Sequence, residues 1–156
     1  SRRPELVAQL VKSPDLIPAF IEELLRFSPS GIGTMRITTE QVVLANITIP
    51  KGEMVMALLA SANRDPHRFS NPDIFDISRS NAKRHMTFGH GIHSCVGAAL
   101  ARLELKVAFE ILLQEFNTFH CPPHDELVWE ESFFVNGVSE LPVRFSKINI
   151  AVKEEV

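Results

Sequence analysis

The residues that most quickly betray a protein's business are scarce here. Cysteine occurs only twice, at Cys95 and Cys121. One bridge between them is the most the chain could make, and no secretory context supports it. Cationic surplus is missing: 16 Lys and Arg stand against 19 Asp and Glu, a formal charge of −3, so nothing points to nucleic acid. No apolar run approaches the length of a membrane span, and no secretory leader opens the chain. Internal repeats and low-complexity tracts are absent too. These absences lead to the expectation of a cytoplasmic protein with neither a nucleic-acid nor a membrane partner. The chain also starts at Ser1 without a methionine, which reads as a cut or processed product. What remains is ordinary globular composition, 156 residues with 45% hydrophobic and 22% charged, enough to bury a core. Length alone predicts one domain.

One stretch organises the chain: Phe88-Gly89-His90-Gly91-Ile92-His93-Ser94-Cys95-Val96-Gly97. It is a glycine-broken loop that delivers a single cysteine to the start of a long apolar helix, predicted from about Cys95 to Phe116. A helix N-terminus carries partial positive charge and free N–H groups, both of which stabilise a thiolate. Gly89 and Gly91 allow a tight turn, and Gly97 leaves one face bare for something flat to lie against the backbone. A single soft, anionic, axially presented ligand is what a haem iron takes from cysteine. The ordinary explanation is a small buried residue, since free cysteine is among the most buried types. Zinc is a further alternative, with His85, His90, His93 and Cys95 within eleven positions. Their spacing fits no usual paired-ligand pattern.

The same stretch resembles the haem-binding loop of the cytochrome P-450 family, Phe-x-x-Gly-x-x-x-Cys-x-Gly. Phe88, Gly91, Cys95 and Gly97 fill its four fixed positions. Gly89, His93 and the Ala-Arg-Leu-Glu at Ala101 to Glu104 are similar to soluble bacterial members.

Earlier in the chain, Pro4 to Lys12 predicts an amphipathic helix, with Pro4 in its first turn and Leu6, Val7, Leu10 and Val11 on one face. A second helix is predicted from about Leu16 to Phe27, ending before Pro29. It carries Glu23 and Arg26. Taken alone, such a pair is a surface contact worth a few tenths of a kcal/mol. Beside the cysteine loop it is similar to the family's Glu-x-x-Arg helix, whose pair is buried and needs a third, arginine partner. Ile74 sits where many relatives have that arginine, so Arg79 is the substitute candidate, with Arg64 next. The glycine-rich joint from Ser30 to Thr34 leads into strand pattern, with no lysine to make it a phosphate loop. Strands are predicted at Met35 to Thr39, Gln41 to Ala45 and Ile47 to Ile49. The run from Met54 to Ser61 is apolar with ambiguous period.

The resemblance assigns further roles. Arg36 is similar to an arginine aimed at a haem propionate, for which a guanidinium fork suits a carboxylate. His93 is similar to a second propionate partner. Asn63-Arg64-Asp65-Pro66 looks like a family turn, and Phe69 to His85 matches an irregular meander. Lys83, Arg84 and His85 form a basic patch that reads as a solvated loop or as a dock for an acidic redox partner. After Asn117, Glu131 to Val135 and Leu141 to Phe145 suggest a hairpin about Asn136-Gly137 or the residues just after it. Leu141 to Phe145 is similar to a closing strand, and Lys153 to Val156 is a polar tail. His120, Cys121 and His124 make a weaker ligand cluster, read as a surface turn.

The expected fold is therefore α+β: the mainly helical C-terminal part of the cytochrome P-450 fold, residues 1–156, with small antiparallel sheets and a long cysteine-bearing helix. The implied cofactor is haem b, with Cys95 as axial iron ligand. Arg36, Phe88, Gly89, His93 and Gly97 would join Cys95 around it, and Glu23, Arg26 and Arg79 would be structural. The implied reaction, for a complete protein, inserts one oxygen atom of O2 into an organic substrate with electrons from a ferredoxin or reductase. The distal helix with its acid–alcohol pair has no counterpart here, so no catalytic residue beyond the axial ligand is expected and the chain alone is expected to be inactive. The alternative is a non-catalytic haem-binding or interaction module. The apolar cysteine helix predicts self-association or docking with an N-terminal portion.

Overall fold

The computed structural model describes residues 3–147. Ser1 and the tail from Lys153 to Val156 lie outside them. The chain gathers into two compact units, one of residues 1–21, 96–129 and 138–156, the other of residues 22–95 and 130–137.

In the first unit, α1 (Pro4–Lys12) opens with proline, whose missing N–H costs nothing in a first turn, and closes where Ser13 N–H donates to Gln9 O. Its apolar stripe turns Leu10 inward to 3% exposure. A 3-10 turn at Pro14–Leu16 leads into α2 (Ile17–Phe27). Phe20, on α2, meets Phe109 edge-on, with ring centroids 4.9 Å apart. Phe109 belongs to α4 (Ala98–Glu115), and α4 runs into β5 (Phe116–His120). Strand β6 (Arg144–Lys147) pairs antiparallel with β5, bringing Phe145 against Phe116 with tilted rings 4.3 Å apart.

In the second unit, β1 (Thr34–Ile37) pairs antiparallel with β4 (Met54–Ala57), Thr34 opposite Ala57. Strands β2 (Val42–Leu44) and β3 (Ile47–Ile49) form a hairpin whose two turn residues, Ala45 and Asn46, both take positive φ, the geometry that matches strand twist. The ambiguous run from Met54 to Ser61 divides between β4 and the one-turn α3 (Leu59–Ala62). Beyond it, the chain from Asn63 to His90 is turns and short 3-10 segments tied by side chains.

Two expectations are corrected. Cys95 is not carried by the long helix. Its N–H closes a turn onto Phe88 O at 2.8 Å, and α4 begins only at Ala98, with Gly97 as N-cap. The loop's own hydrogen bond satisfies the group that a helical Cys95 would have left open. The late hairpin does not form between the expected segments either: the local antiparallel bridge joins Trp129 to Val138. Val135 bridges to Gly31, and Arg144–Lys147 pairs with β5, so both segments find distant partners instead of each other. On α4 itself, Leu113 is buried while Leu100, Leu103, Val107 and Ile111 are exposed. Among the described residues, no helix is long and apolar enough to cross a membrane.

Candidate functional site

Two constellations stand out in the second unit, and they differ in burial. The first is charged and inaccessible. Glu23 and Arg26, one turn apart on α2, are both 0% exposed. Arg26 grips the carboxylate with two hydrogen bonds, Nε to Oε2 at 2.7 Å and Nη2 to Oε1 at 2.8 Å. Its remaining donors reach Asn63 O, Pro72 O and Ile74 O. Glu23 Oε1 also accepts from Asp76 N–H at 2.9 Å and from Arg79 Nε at 3.2 Å. Arg79 donates further to Ser70, Asn71 and Ile74 carbonyls, so it ties the loop that contains it to α2. Arg64 goes elsewhere, onto Asp73, Phe27 O and the face of the Phe27 ring. Burial alone would raise the Glu23 carboxyl. The Arg26 hydrogen bonds, the Asp76 N–H and Arg79 outweigh it and hold the group below its usual range.

The second constellation is concave and accessible. An open cavity of about 360 Å³ is lined by Thr34 and Arg36 on β1, Ala57, Leu59, and the segment Met86 to His90 with His93 and Cys95. Gly89 and Gly91 take φ of +69° and +74°, a region that resists any side chain, and they turn the loop about its root. A 3-10 turn at Gly91–His93 brings His93 to the rim. Arg36 folds its guanidinium back onto Thr34 Oγ1 and Met35 O, each at 2.7 Å, which parks a cation at the opening. Cys95 is an exposed free thiol. Of the residues singled out in the sequence, Arg36, Phe88, Gly89, His93 and Cys95 all line this cavity, whereas Gly97 caps α4 with an ordinary φ of −83°. Cys121 is also free and exposed. The histidines part company: His90 and His93 line the cavity, while His85 is buried beside Glu22. Among the described residues, no group of three or more His, Cys, Asp or Glu side chains gathers as a metal site.

The profile of the family described as Cytochrome P-450 matches residues 5–144. The chain belongs to the cytochrome P-450 family. It is 47% identical over 143 residues to Cytochrome P-450 107B1 of Saccharopolyspora erythraea, covering 90% of this chain and 35% of that protein. It is 45% identical over 144 residues to the Mycinamicin IV hydroxylase/epoxidase of Micromonospora griseorubida, covering 90% and 36%. The solved structure of a Chondromyces apiculatus cytochrome P-450 superposes with a TM-score of 0.88 at 40% identity, covering 95% of this chain and 38% of that one. The chain thus spans little more than a third of the length of the curated relatives it matches.

Membership of the cytochrome P-450 family implies haem, and the residues around the cavity fit it chemically. One soft sulfur, exposed, faces an opening with a guanidinium and imidazoles at its edge, the donors that a macrocycle bearing two carboxylates requires. Gly89 itself adds no side chain to the wall.

Sequence reasoning missed the residues behind this wall. Asn63, 0% exposed, and His85, 7% exposed, hold the backbone of Met86 and Thr87. Asn63 was visible only as part of a turn motif, and His85 only as a member of the zinc alternative and of a basic patch. A buried asparagine leaves no signal beyond the residue type itself.

Proposed function

We propose that this chain is the haem-ligating part of a cytochrome P-450 monooxygenase that inserts one oxygen atom from O2 into an organic substrate. The observation that carries the reading is the convergence of Cys95, Arg36, His93 and Phe88 on one open cavity. Haem, when bound, would supply the oxygen-activating redox chemistry, and Cys95 would hold its iron through a thiolate. The protein's part is to bind and orient. Cys95 offers sulfur from a turn locked by its own N–H on Phe88 O, so the ligand arrives in a fixed place. Arg36 would hold a propionate in place of the Thr34 hydroxyl, exchanging a neutral acceptor for a charged one, the stronger partner. His93 adds a second donor from the 3-10 turn. Phe88 and Leu59 give the cavity apolar contact for a macrocycle face. The buried Glu23–Arg26–Arg79 cluster keeps the loops beneath in register and touches no substrate. Electrons for the complete protein would come from a ferredoxin or reductase.

Titration of the purified chain with haem, followed by Soret absorbance, tests the reading. Arg36→Ala and His93→Ala each weaken binding by about tenfold, the loss of one charge-assisted hydrogen bond. Unchanged affinity in both variants would contradict the assignment of the cavity.

A further inference from the structure

The segment that leads into the Cys95 loop is held by side chains, with no strand or helix ladder to do it. Two successive backbone N–H groups donate to side-chain acceptors: Met86 to Asn63 Oδ1 at 2.6 Å, and Thr87 to His85 Nδ1 at 3.2 Å. Asn63 Nδ2 donates in turn to Thr87 Oγ1 at 2.9 Å, and Thr87 Oγ1 donates to Leu25 O on α2 at 2.7 Å. Both ends of the Asn63 amide are used, which fixes its orientation. Because His85 Nδ1 accepts from an N–H, the ring proton belongs on Nε2. Nε2 faces Glu22 Oε2 at 3.2 Å. Glu22 is itself buried, at 6% exposure.

The clamp ends one residue before the carbonyl on which the thiol loop closes. Gly89 N–H donates to Met86 O and Cys95 N–H to Phe88 O, both at 2.8 Å. A displacement of Met86 or Thr87 therefore passes to the Cys95 backbone through two short bonds.

We propose that Asn63 and His85 are positioning residues for Cys95: together they fix the root of the thiol loop on α2 and so set where the sulfur stands. Removing either acceptor leaves a part-buried N–H without its partner, and the segment must shift to find water. The inference deepens the reading of Cys95 as an iron ligand and rests on it for its spectroscopic consequence only.

The test compares Asn63→Ala, His85→Ala, Thr87→Val and Thr87→Ser by amide hydrogen exchange without haem, and by the spectrum of the haem–carbon monoxide complex. Exchange at the Cys95 amide should rise by about tenfold or more in Asn63→Ala and His85→Ala, while the α2 amides from Glu23 to Arg26 keep their protection. Thr87→Val should loosen the same amide and Thr87→Ser, which keeps the hydroxyl, should not. With haem bound, the loosened variants should lose part of the thiolate band in favour of the band of a displaced sulfur. Wild-type exchange at Cys95 in both Asn63→Ala and His85→Ala overturns the proposal. If those chains fail to fold, wild-type exchange in Thr87→Val, which preserves side-chain shape, overturns it equally. A wild-type chain without any thiolate band, but with Cys95 loosened in the variants, contradicts the haem reading and still supports the positioning role.

Discussion

Glu23 and Cys95 belong to the same compact unit and live under opposite rules. Around Glu23 every charge is met from within: Arg26, Arg79 and the Asp76 N–H saturate the carboxylate, and three backbone carbonyls take up the spare donors of Arg26. Around Cys95 the groups face outward. The thiol is exposed, Ile92 three residues before it is 97% exposed, and among the described residues Arg36 holds a hydroxyl and a carbonyl of its own strand. A buried charge is tolerable only when fully partnered, so the first region is finished by this chain alone. The second has a fixed backbone and uncommitted side chains, which is how a protein presents a site to something it has yet to meet.

The sharpest way to break this contrast is to damage the closed cluster. Arg26→Ala leaves the buried Glu23 with Arg79 and the Asp76 N–H alone and takes a donor from three backbone carbonyls, and the loss should be roughly 3–5 kcal/mol, read as a lowered midpoint in urea. An effect below about 1 kcal/mol would place the pair among surface contacts instead. Gly33→Ala comes next. A Cβ there would meet Ala57 O at 2.6 Å and Met56 Cε at 2.8 Å, the first of them backbone. Overpacking of this kind costs about 1–3 kcal/mol by thermal melting. Arg79→Ala removes one partner of Glu23 and several loop carbonyl bonds, with Arg26 still in place, and should cost about 1–3 kcal/mol. Cys95→Ala lies at the other end. With the side chain exposed, stability should move by less than about 0.5 kcal/mol while thiolate ligation vanishes.

Acid sharpens the comparison further. The folded-state pKa of Glu23 is depressed below its ordinary 4.5. Below 4.5 the unfolded chain takes up a proton that the folded chain refuses, so protons favour unfolding there. The contribution is complete above 4.5 and drains away as pH falls toward the folded value. Melting temperature followed downward from pH 5 should fall in the native protein. Glu23→Gln, already less stable, should lack that part of the dependence.

How much of this was written in the sequence depends on how local each feature is. The first two helices follow from proline placement and apolar stripe, and the strands read at Met35 to Thr39, Gln41 to Ala45 and Ile47 to Ile49 from short strand-like runs bounded by turn signals. The cysteine loop was legible because its glycines and its cysteine sit within ten consecutive positions, a pattern dense enough to resemble one family. The late hairpin was misread because Asn136-Gly137 is a strong local turn signal, yet Gly31 and β5 offered better partners far away in the chain. Cys95 was placed at the start of the helix because the glycines before it read as a loop and the apolar run after it as a helix. Its N–H bond to Phe88 O is invisible to periodicity. Asn63 and His85 were unreadable as positioning residues for the same reason, since their meaning lies in which N–H groups they accept.

The most direct test of the account is the absorbance of the purified chain with haem added, reduced, and exposed to carbon monoxide, beside Cys95→Ala treated alike. The account predicts a strongly red-shifted Soret band in the native chain and its loss in the variant. The same band in both, or its absence from a natively folded chain, would contradict the claim that this cavity presents Cys95 to a haem iron.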